Sequence, residues 1–306
     1  MISFLIKRLV QMIPVLIGVT LVVFLIMQMV PGDPAVLLAG EGASKETIEE
    51  IRTQLGLNQP LYIQYFDYLT NIFKGDLGVS IKNNKPVLDE ILVRLPITME
   101  LALFSILITI VLGMAAGIIS AIRPYSVSDL SVMLIALIGI SIPSFWFGLM
   151  LMYIFSVKLQ ILPVAGWDSW QHIILPAITL GAGGAAIVAR MTRSSMLEVI
   201  RQDYIRTARA KGLREQIIIS KHALRNALIP VITVVGLQFG ALLGGTVLTE
   251  SIFAINGLGR LIVESIRMRD LPMVQGGVLV ASIIFVLVNL LVDLLYRIFN
   301  KRIELN

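Results

Sequence analysis

Six apolar runs dominate this chain, at about residues 9–30, 97–122, 129–157, 172–190, 227–249 and 273–299. A hydrocarbon core about 30 Å thick is crossed by roughly 20 helical residues, so each run is long enough, or nearly so, to be a membrane span. The chain has 306 residues, 57% hydrophobic and only 15% charged, with mean hydropathy +0.87. That lies outside the range of soluble globular domains. A length that would allow one or two soluble domains is therefore read as one bundle of six transmembrane helices.

The formal net charge of +5 invites a nucleic-acid reading, but the basic residues sit in the connections between apolar runs, where membrane topology accounts for them. Lys7 and Arg8 precede the first run, Arg123 follows the second and Lys301 and Arg302 follow the sixth. The positive-inside rule then places both termini in the cytoplasm. There are no cysteines, which removes disulfides, thiolate metal sites and a cysteine nucleophile. The first run is too long for a signal-peptide core and leads into Pro31-Gly-Asp-Pro34 rather than a small-residue cleavage site, so it is expected to stay as a span.

The organisation follows as residues 1–30 with the first span, 31–95 as an extracytoplasmic helical cap, and 96–306 as a five-helix core with a cytoplasmic loop at about 191–226. In the cap, Ser44 is placed to cap a helix carrying Ile48, Ile51 and Leu55. Asn58 and Pro60 open a second helix with Tyr62, Tyr65, Phe66, Leu69 and Phe73 on one face, closing at Lys74-Gly75-Asp76. The cap is small for a separate ligand-binding domain, and its aromatic stripe is read as packing. Ser128 and Asp129 are expected to cap the third span, and Ser141-Ile142-Pro143-Ser144 to kink it, because proline removes a backbone donor. Trp167 and Trp170 suit the membrane interface. Gly181 to Ala186, and Gly236, Gly240, Gly244 and Gly245, are close-approach surfaces for neighbouring helices. The stretch 250–272, with Phe253, Leu258 and Leu261, is expected to hold a short re-entrant or surface helix.

The loop between the fourth and fifth runs carries Arg190, Arg193, Arg201, Arg206, Arg209, Lys211, Arg214, Lys221 and Arg225 against Glu198, Asp203 and Glu215. It is the strongest inside signal in the chain. It reads as a helix-turn-helix in which Thr207, Ala208 and Ala210 form a surface of little bulk. Gly212 permits the left-handed turn that stops the first helix, and Ile217 to Ile219 begin an apolar face. On physical grounds alone, an amphipathic helix lying on lipid headgroups is the first reading of this loop, and a helix gripped by a partner protein the second.

This loop resembles the EAA loop of ABC-importer permeases, with Arg206-Thr207-Ala208 in the place of Glu-Ala-Ala and Gly212 in the place of the motif's glycine. Where the general motif continues Ile-x-Leu-Pro, His222-Ala-Leu-Arg225-Asn226 followed by Pro230 resembles the peptide/nickel branch. Further resemblance lies in Pro31-Gly-Asp-Pro34, Leu55-Gly-Leu-Asn-Gln-Pro60, Gly75-Asp-Leu-Gly78, Pro96-x-Thr98-x-Glu100-Leu101 and Gly257-Leu-Gly259-Arg260. Two stretches, Asp168 to Pro176 and Gly236 to Gly245, look like the glutathione-importer permeases of that branch.

The resemblance implies an all-α type I ABC importer permease of the MetI-like fold, multi-pass in the inner membrane. It implies a second homologous permease, two cytoplasmic ATPases holding ATP and magnesium, and an external solute-binding protein. It further implies a coupling loop of Asp203, Arg206, Thr207, Ala208, Arg209, Ala210, Lys211, Gly212, His222, Arg225 and Asn226. The solute would be a dipeptide, oligopeptide or glutathione. A nickel or metal chelate is the alternative within the family.

The chain has no Gly-x-x-x-x-Gly-Lys-Ser/Thr loop to cradle ATP phosphates and no His-Glu-x-x-His for a metalloprotease. Its two histidines, His172 and His222, fall at span edges, so no catalytic residue, cofactor or metal ligand is assigned. Asn289 and Asp293 suit a polar pathway, but Asp293 lies four residues before Arg297, the spacing of a local helix pair. Gln28, Gln238 and Glu250 fit either a pathway or interhelical hydrogen bonds. A passive channel is the reading from a different class, and the basic loop discriminates, since a channel needs no ATPase socket.

Overall fold

The computed structural model describes residues 2–29, 33–40 and 42–299. Val30, Pro31, Gly32, Lys301 and Arg302, which carried sequence expectations, lie outside the described residues, as does the side chain of Arg297. The helices are α1 (Ile2–Met29), α2 (Pro34–Ala39), α3 (Lys45–Gln54), α4 (Leu61–Phe73), α5 (Val87–Ile122), α6 (Val127–Ser141) and α7 (Ser144–Leu151). After a π-helical stretch, Met152–Lys158, come α8 (Gln171–Ile200), α9 (Asp203–Ala210) and α10 (Glu215–Ile217). A second π-helical stretch, Ile218–Ala223, precedes α11 (Leu224–Ile252), α12 (Leu258–Met268) and α13 (Leu271–Phe299).

Among the described residues, five helices are long and apolar enough to cross a membrane, and a sixth span exists if the bent pair 127–141 and 144–158 counts as one. That pair departs from the kinked single helix the sequence suggested, since its two halves meet at 105°. Pro143 lacks a backbone N–H, and Ile142 is extended at ψ 127°, so the helix stops at Ser141 and restarts at Ser144. The spans also overrun their sequence boundaries. α5 begins ten residues early and passes through Pro96, and α8 continues ten residues past Arg190. Ser126, not Ser128 or Asp129, caps α6 by accepting from the Asp129 N–H. Asp129, the third helical residue, turns its carboxylate back instead to accept from the N–H of Tyr125, the residue before the cap, at 2.8 Å.

The chain forms two compact units, one of residues 1–96 with 257–286 and one of 97–256 with 287–306. In the first, α4 packs on α1. Phe24 is buried against the rings of Tyr65 and Tyr68, Thr20 Oγ1 lies 3.0 Å from the Tyr65 hydroxyl, and Gln28 donates to Gln64. The aromatic stripe read as packing is thus divided, because Tyr62, Phe66 and Phe73 point outward and are exposed. Burial pushes the Tyr68 hydroxyl up to about 12, so it stays protonated. Ser44 caps α3 as expected. The same unit contains a core of Val87, Ile91, Leu258, Leu261 and Met273. There Gly276 and Gly277 let α13 approach α5 and α12, a Cβ at Gly276 falling 2.5 Å from Val87 Cγ1. Buried Asp270 fastens the 78–86 turn to the start of α13, accepting from Ser80 Oγ, Ile81 N and Met273 N.

The short helix α2 was not anticipated, although Asp33-Pro34 is a cap followed by proline at the first helical position. Asp33 accepts from the Ala35 N–H at 2.9 Å and pairs with Arg52 of α3. The Arg52 hydrogen bond holds the Asp33 carboxyl below its ordinary value of 3.8 against the opposing effect of burial. A depressed folded value means that this contribution is complete above pH 3.8 and is lost as pH falls through the folded value. Asp33→Ala is expected to destabilise α2 by about 1 kcal/mol. Amide exchange in α2 and the start of α3 should then be about fivefold faster than in the unsubstituted protein, and an unchanged rate contradicts the cap.

In the second unit α8 is the central helix, packed by α5, α6, α7 and α11. Its core gathers Leu101 and Ile106 of α5, Leu175, Ala177 and Leu180 of α8, and Leu242 of α11, with Phe253 and Ile255. The glycines set the α5–α8 distance. Gly113 and Gly117 of α5 face the Ala185 and Ala189 carbonyls, while Gly181 and Gly184 of α8 face Ser105, Ile108 and Thr109. Thr109 Oγ1 donates to the Gly181 carbonyl across this contact at 3.0 Å. Thr98 donates to fully buried Glu250 at 2.6 Å, an interhelical bond of the kind the sequence left open.

Candidate functional site

The basic loop folds into a small platform built on the far end of α8. Arg201 and Gln202 turn the chain out of α8, and α9 starts at Asp203. Two residues anchor it. Ile205 is fully buried and Ala208 is 7% exposed, one turn apart on one face. They sit in a cluster with Ala121 of α5, Met196 of α8, Ile218 and Ala223 of the π-helical stretch, and Ala227 of α11.

The helix ends in a Schellman motif. The Gly212 N–H donates to the Arg209 carbonyl at 2.9 Å and the Leu213 N–H to the Ala208 carbonyl at 3.4 Å, with Gly212 at φ +76°. The left-handed turn assigned to Gly212 from sequence is the observed one. Arg209 then grips Glu215 through a two-pronged contact at 2.6 and 3.1 Å, tying α9 to α10. The segment after the turn is only briefly α-helical and continues as a π-helix over Ile218–Ala223, a feature the sequence pattern did not signal.

The other loop residues distribute around this frame. Asp203, Arg206, Thr207, Arg209, Ala210, Lys211 and Gly212 are exposed, so the low-bulk surface expected over Thr207, Ala208 and Ala210 is split, with Ala208 turned inward. Thr207 Oγ1 donates back to the Asp203 carbonyl at 3.0 Å. Asn226 donates to the Tyr204 hydroxyl at 2.7 Å and to the His222 carbonyl, which pins α9 to the start of α11. His222 and Arg225 lie on the π-helical stretch and the first turn of α11, at the side of the platform.

Sequence reading missed a cleft of about 340 Å³ beside the break between α6 and α7, lined by Ile142, Ser144, Thr179, Gly183, Gln238 and Leu242 among others. No ionisable side chain lines it. Its sequence signals were the break at Pro143 and Gln238, a residue that fits a pathway by sequence. Also missed was the ion pair of Asp129 with Arg193, whose signal was a lone acid in an otherwise uncharged apolar run. Among the described residues, no three His, Cys, Asp or Glu side chains come together to hold a metal ion.

Five or six helices able to cross a membrane among the described residues, with the basic helix α9 following α8, are the features of a polytopic membrane protein. Residues 113–305 match the family described as the binding-protein-dependent transport system inner membrane component, and residues 1–102 match that family's N-terminal region. The chain belongs to this family, and it is a multi-pass protein of the inner membrane.

The glutathione transport system permease protein GsiC of Escherichia coli strain K12 is 50% identical over 304 residues, covering 99% of both chains. GsiC of Shigella dysenteriae serotype 1 matches equally. Among solved structures, the inward-facing MetNI methionine ABC transporter superposes with a TM-score of 0.58 at 22% identity, over 69% of this chain and 96% of that one. An amino acid ABC transporter solved with histidines gives 0.53 at 15% identity, over 70% and 94%. These two likenesses establish the permease fold, and the identification as an ABC-importer permease agrees with the resemblance read from the sequence.

Proposed function

We propose that this chain is the membrane-spanning subunit of an ATP-driven importer that passes glutathione or related short peptides inward by alternating access. What carries the reading is the 50% identity, along the whole chain, to permeases of glutathione transport systems. Both termini and the 191–226 loop face the cytoplasm, with 31–95 as the outer cap and 96–306 as the transport core. A second homologous permease completes the pathway, and an external solute-binding protein delivers the cargo. Two cytoplasmic ATPases hold ATP and magnesium, and this chain contributes no catalytic residue.

The coupling surface is the outward face of α9 with its turn, namely Asp203, Arg206, Thr207, Arg209, Ala210, Lys211 and Gly212. It seats in an ATPase while Ile205 and Ala208 bind it to the permease. Asn226 braces it through the Tyr204 hydroxyl, and His222 and Arg225 complete the coupling loop. The uncharged cleft suits a solute that must be released as readily as it is bound, because tight binding in the membrane domain would stall inward release.

Reconstitution of the assembled transporter in vesicles, with labelled glutathione and its binding protein, tests the function. ATP-dependent accumulation is expected. Equilibration without ATP would favour the passive channel, and ATP-dependent uptake of a nickel chelate but not of glutathione would move the substrate to the metal branch.

A further inference from the structure

A buried polar cluster stands beside the platform and is not part of its outward face. Asp129, the third residue of α6, is 3% exposed and accepts from four donors. Arg193 of α8 contributes Nε and Nη2, both at 2.7 Å, the Tyr125 backbone N–H lies at 2.8 Å, and Ser120 of α5 donates its hydroxyl. Four donors fill the lone-pair sites of one carboxylate. A buried ion pair adds little net stability over an apolar pair of similar size, because desolvation offsets its attraction. Direction is another matter. The two-pronged guanidinium contact fixes both the height and the rotation of α8 against the α5–α6 corner, which an apolar contact does not.

The position of the pair gives that precision a use. Ser120 is followed by Ala121, and Arg193 lies one helical turn before Met196. Ala121 and Met196 are two walls of the cluster in which Ile205 and Ala208 of α9 are buried. The remaining walls, Ile218, Ala223 and Ala227, belong to the π-helical stretch and α11. A helix of eight residues whose buried side chains are Ile205 and Ala208 takes its orientation from its seat. A rotation of α8 at Arg193 would be carried about 10 Å along the helix to Ile200 and directly into α9.

We infer that Asp129 and Arg193 are a positioning pair, which holds the seat of α9 in register so that displacement of α9 is delivered to the spans. The inference rests on α9 being the ATPase-contacting element.

Two double variants of the assembled transporter test it, Asp129→Leu with Arg193→Met and Asp129→Asn with Arg193→Gln. Neither leaves a buried charge unpaired, so both retain the means to fold. Solute transported per ATP hydrolysed is expected to fall about tenfold in each, with hydrolysis continuing. Wild-type stoichiometry in either assembled variant overturns the proposal and leaves the pair a structural one. Because the chain has no native cysteine, Thr207→Cys alone reports the premise by cross-linking to the ATPase subunits. A cross-link present with wild-type stoichiometry in the doubles refutes the pair alone, whereas no cross-link in the otherwise unsubstituted protein refutes the reading of α9 and the proposal with it.

Discussion

Gly117→Val is expected to abolish accumulation of folded protein in the membrane, while Gly183→Ala, one contact surface away on α8, has no effect. The difference lies in what each new Cβ meets. At Gly117 it falls 2.5 Å from the Ala189 carbonyl oxygen and 2.6 Å from Thr192 Cβ, whereas at Gly183 nothing lies within 4 Å. The carbonyl belongs to the backbone of α8 and cannot rotate away, so α5 and α8 must separate along the contact that Gly113, Gly181 and Gly184 also make close. Without a hydrophobic drive between helices in lipid, such packing is the main source of association.

Overpacking costs about 3 kcal/mol or more here, against a gain in helix propensity of about 1 kcal/mol for replacing glycine by alanine and less for valine. The clash therefore wins even for Gly117→Ala, which should show a reduced yield of monodisperse protein in detergent. Wild-type yield and unfolding temperature for Gly117→Val would show that α5 and α8 do not cross at this distance.

The spans were legible because a continuous apolar run of about 20 residues has few other fates. Their ends were not. Pro96 marks a boundary by local rules, yet α5 continues through it from Val87 because Val87 and Ile91 are held in a buried core. Arg190 likewise ended the fourth span by polarity, and α8 runs on to Ile200 because Thr192, Ser195 and Met196 are buried. Gly212 was readable because a positive φ is a property of one residue type.

The inward turn of Ala208 was not readable in this way. Small size is compatible with an exposed contact face and with a tight internal one, and only Ala121, Met196 and Ala223 packed nearby settle which. Asp129 shows the same limit. Its place near the start of α6 suggested a cap, while its partner is 64 residues away and carries no local signal.

The two readings of the basic loop part most sharply at Ala210. Ile205 and Ala208 occupy one side of α9, and at 100° per residue Ala210 lies nearly opposite their midpoint, flanked by Asp203, Arg206 and Thr207. Ala210→Trp should leave the unfolding temperature and assembly of the permease near their original values, since the new ring meets nothing of its own chain. If the face is seated in a protein cleft, the ring must be expelled, and a central misfit of that kind costs about 2 kcal/mol or more, so transport should fall roughly 30-fold or further.

Ala208→Trp serves as the contrast. A ring forced between Ile205, Met196 and Ala223 should lower stability first and transport only as a consequence. A helix lying on lipid headgroups predicts the opposite for Ala210→Trp, because an indole is favoured at that depth and the variant would transport normally or hold the membrane more tightly. The face of α9 thus has one test in which a protein socket and a lipid surface give opposite signs, with fold stability as the internal control.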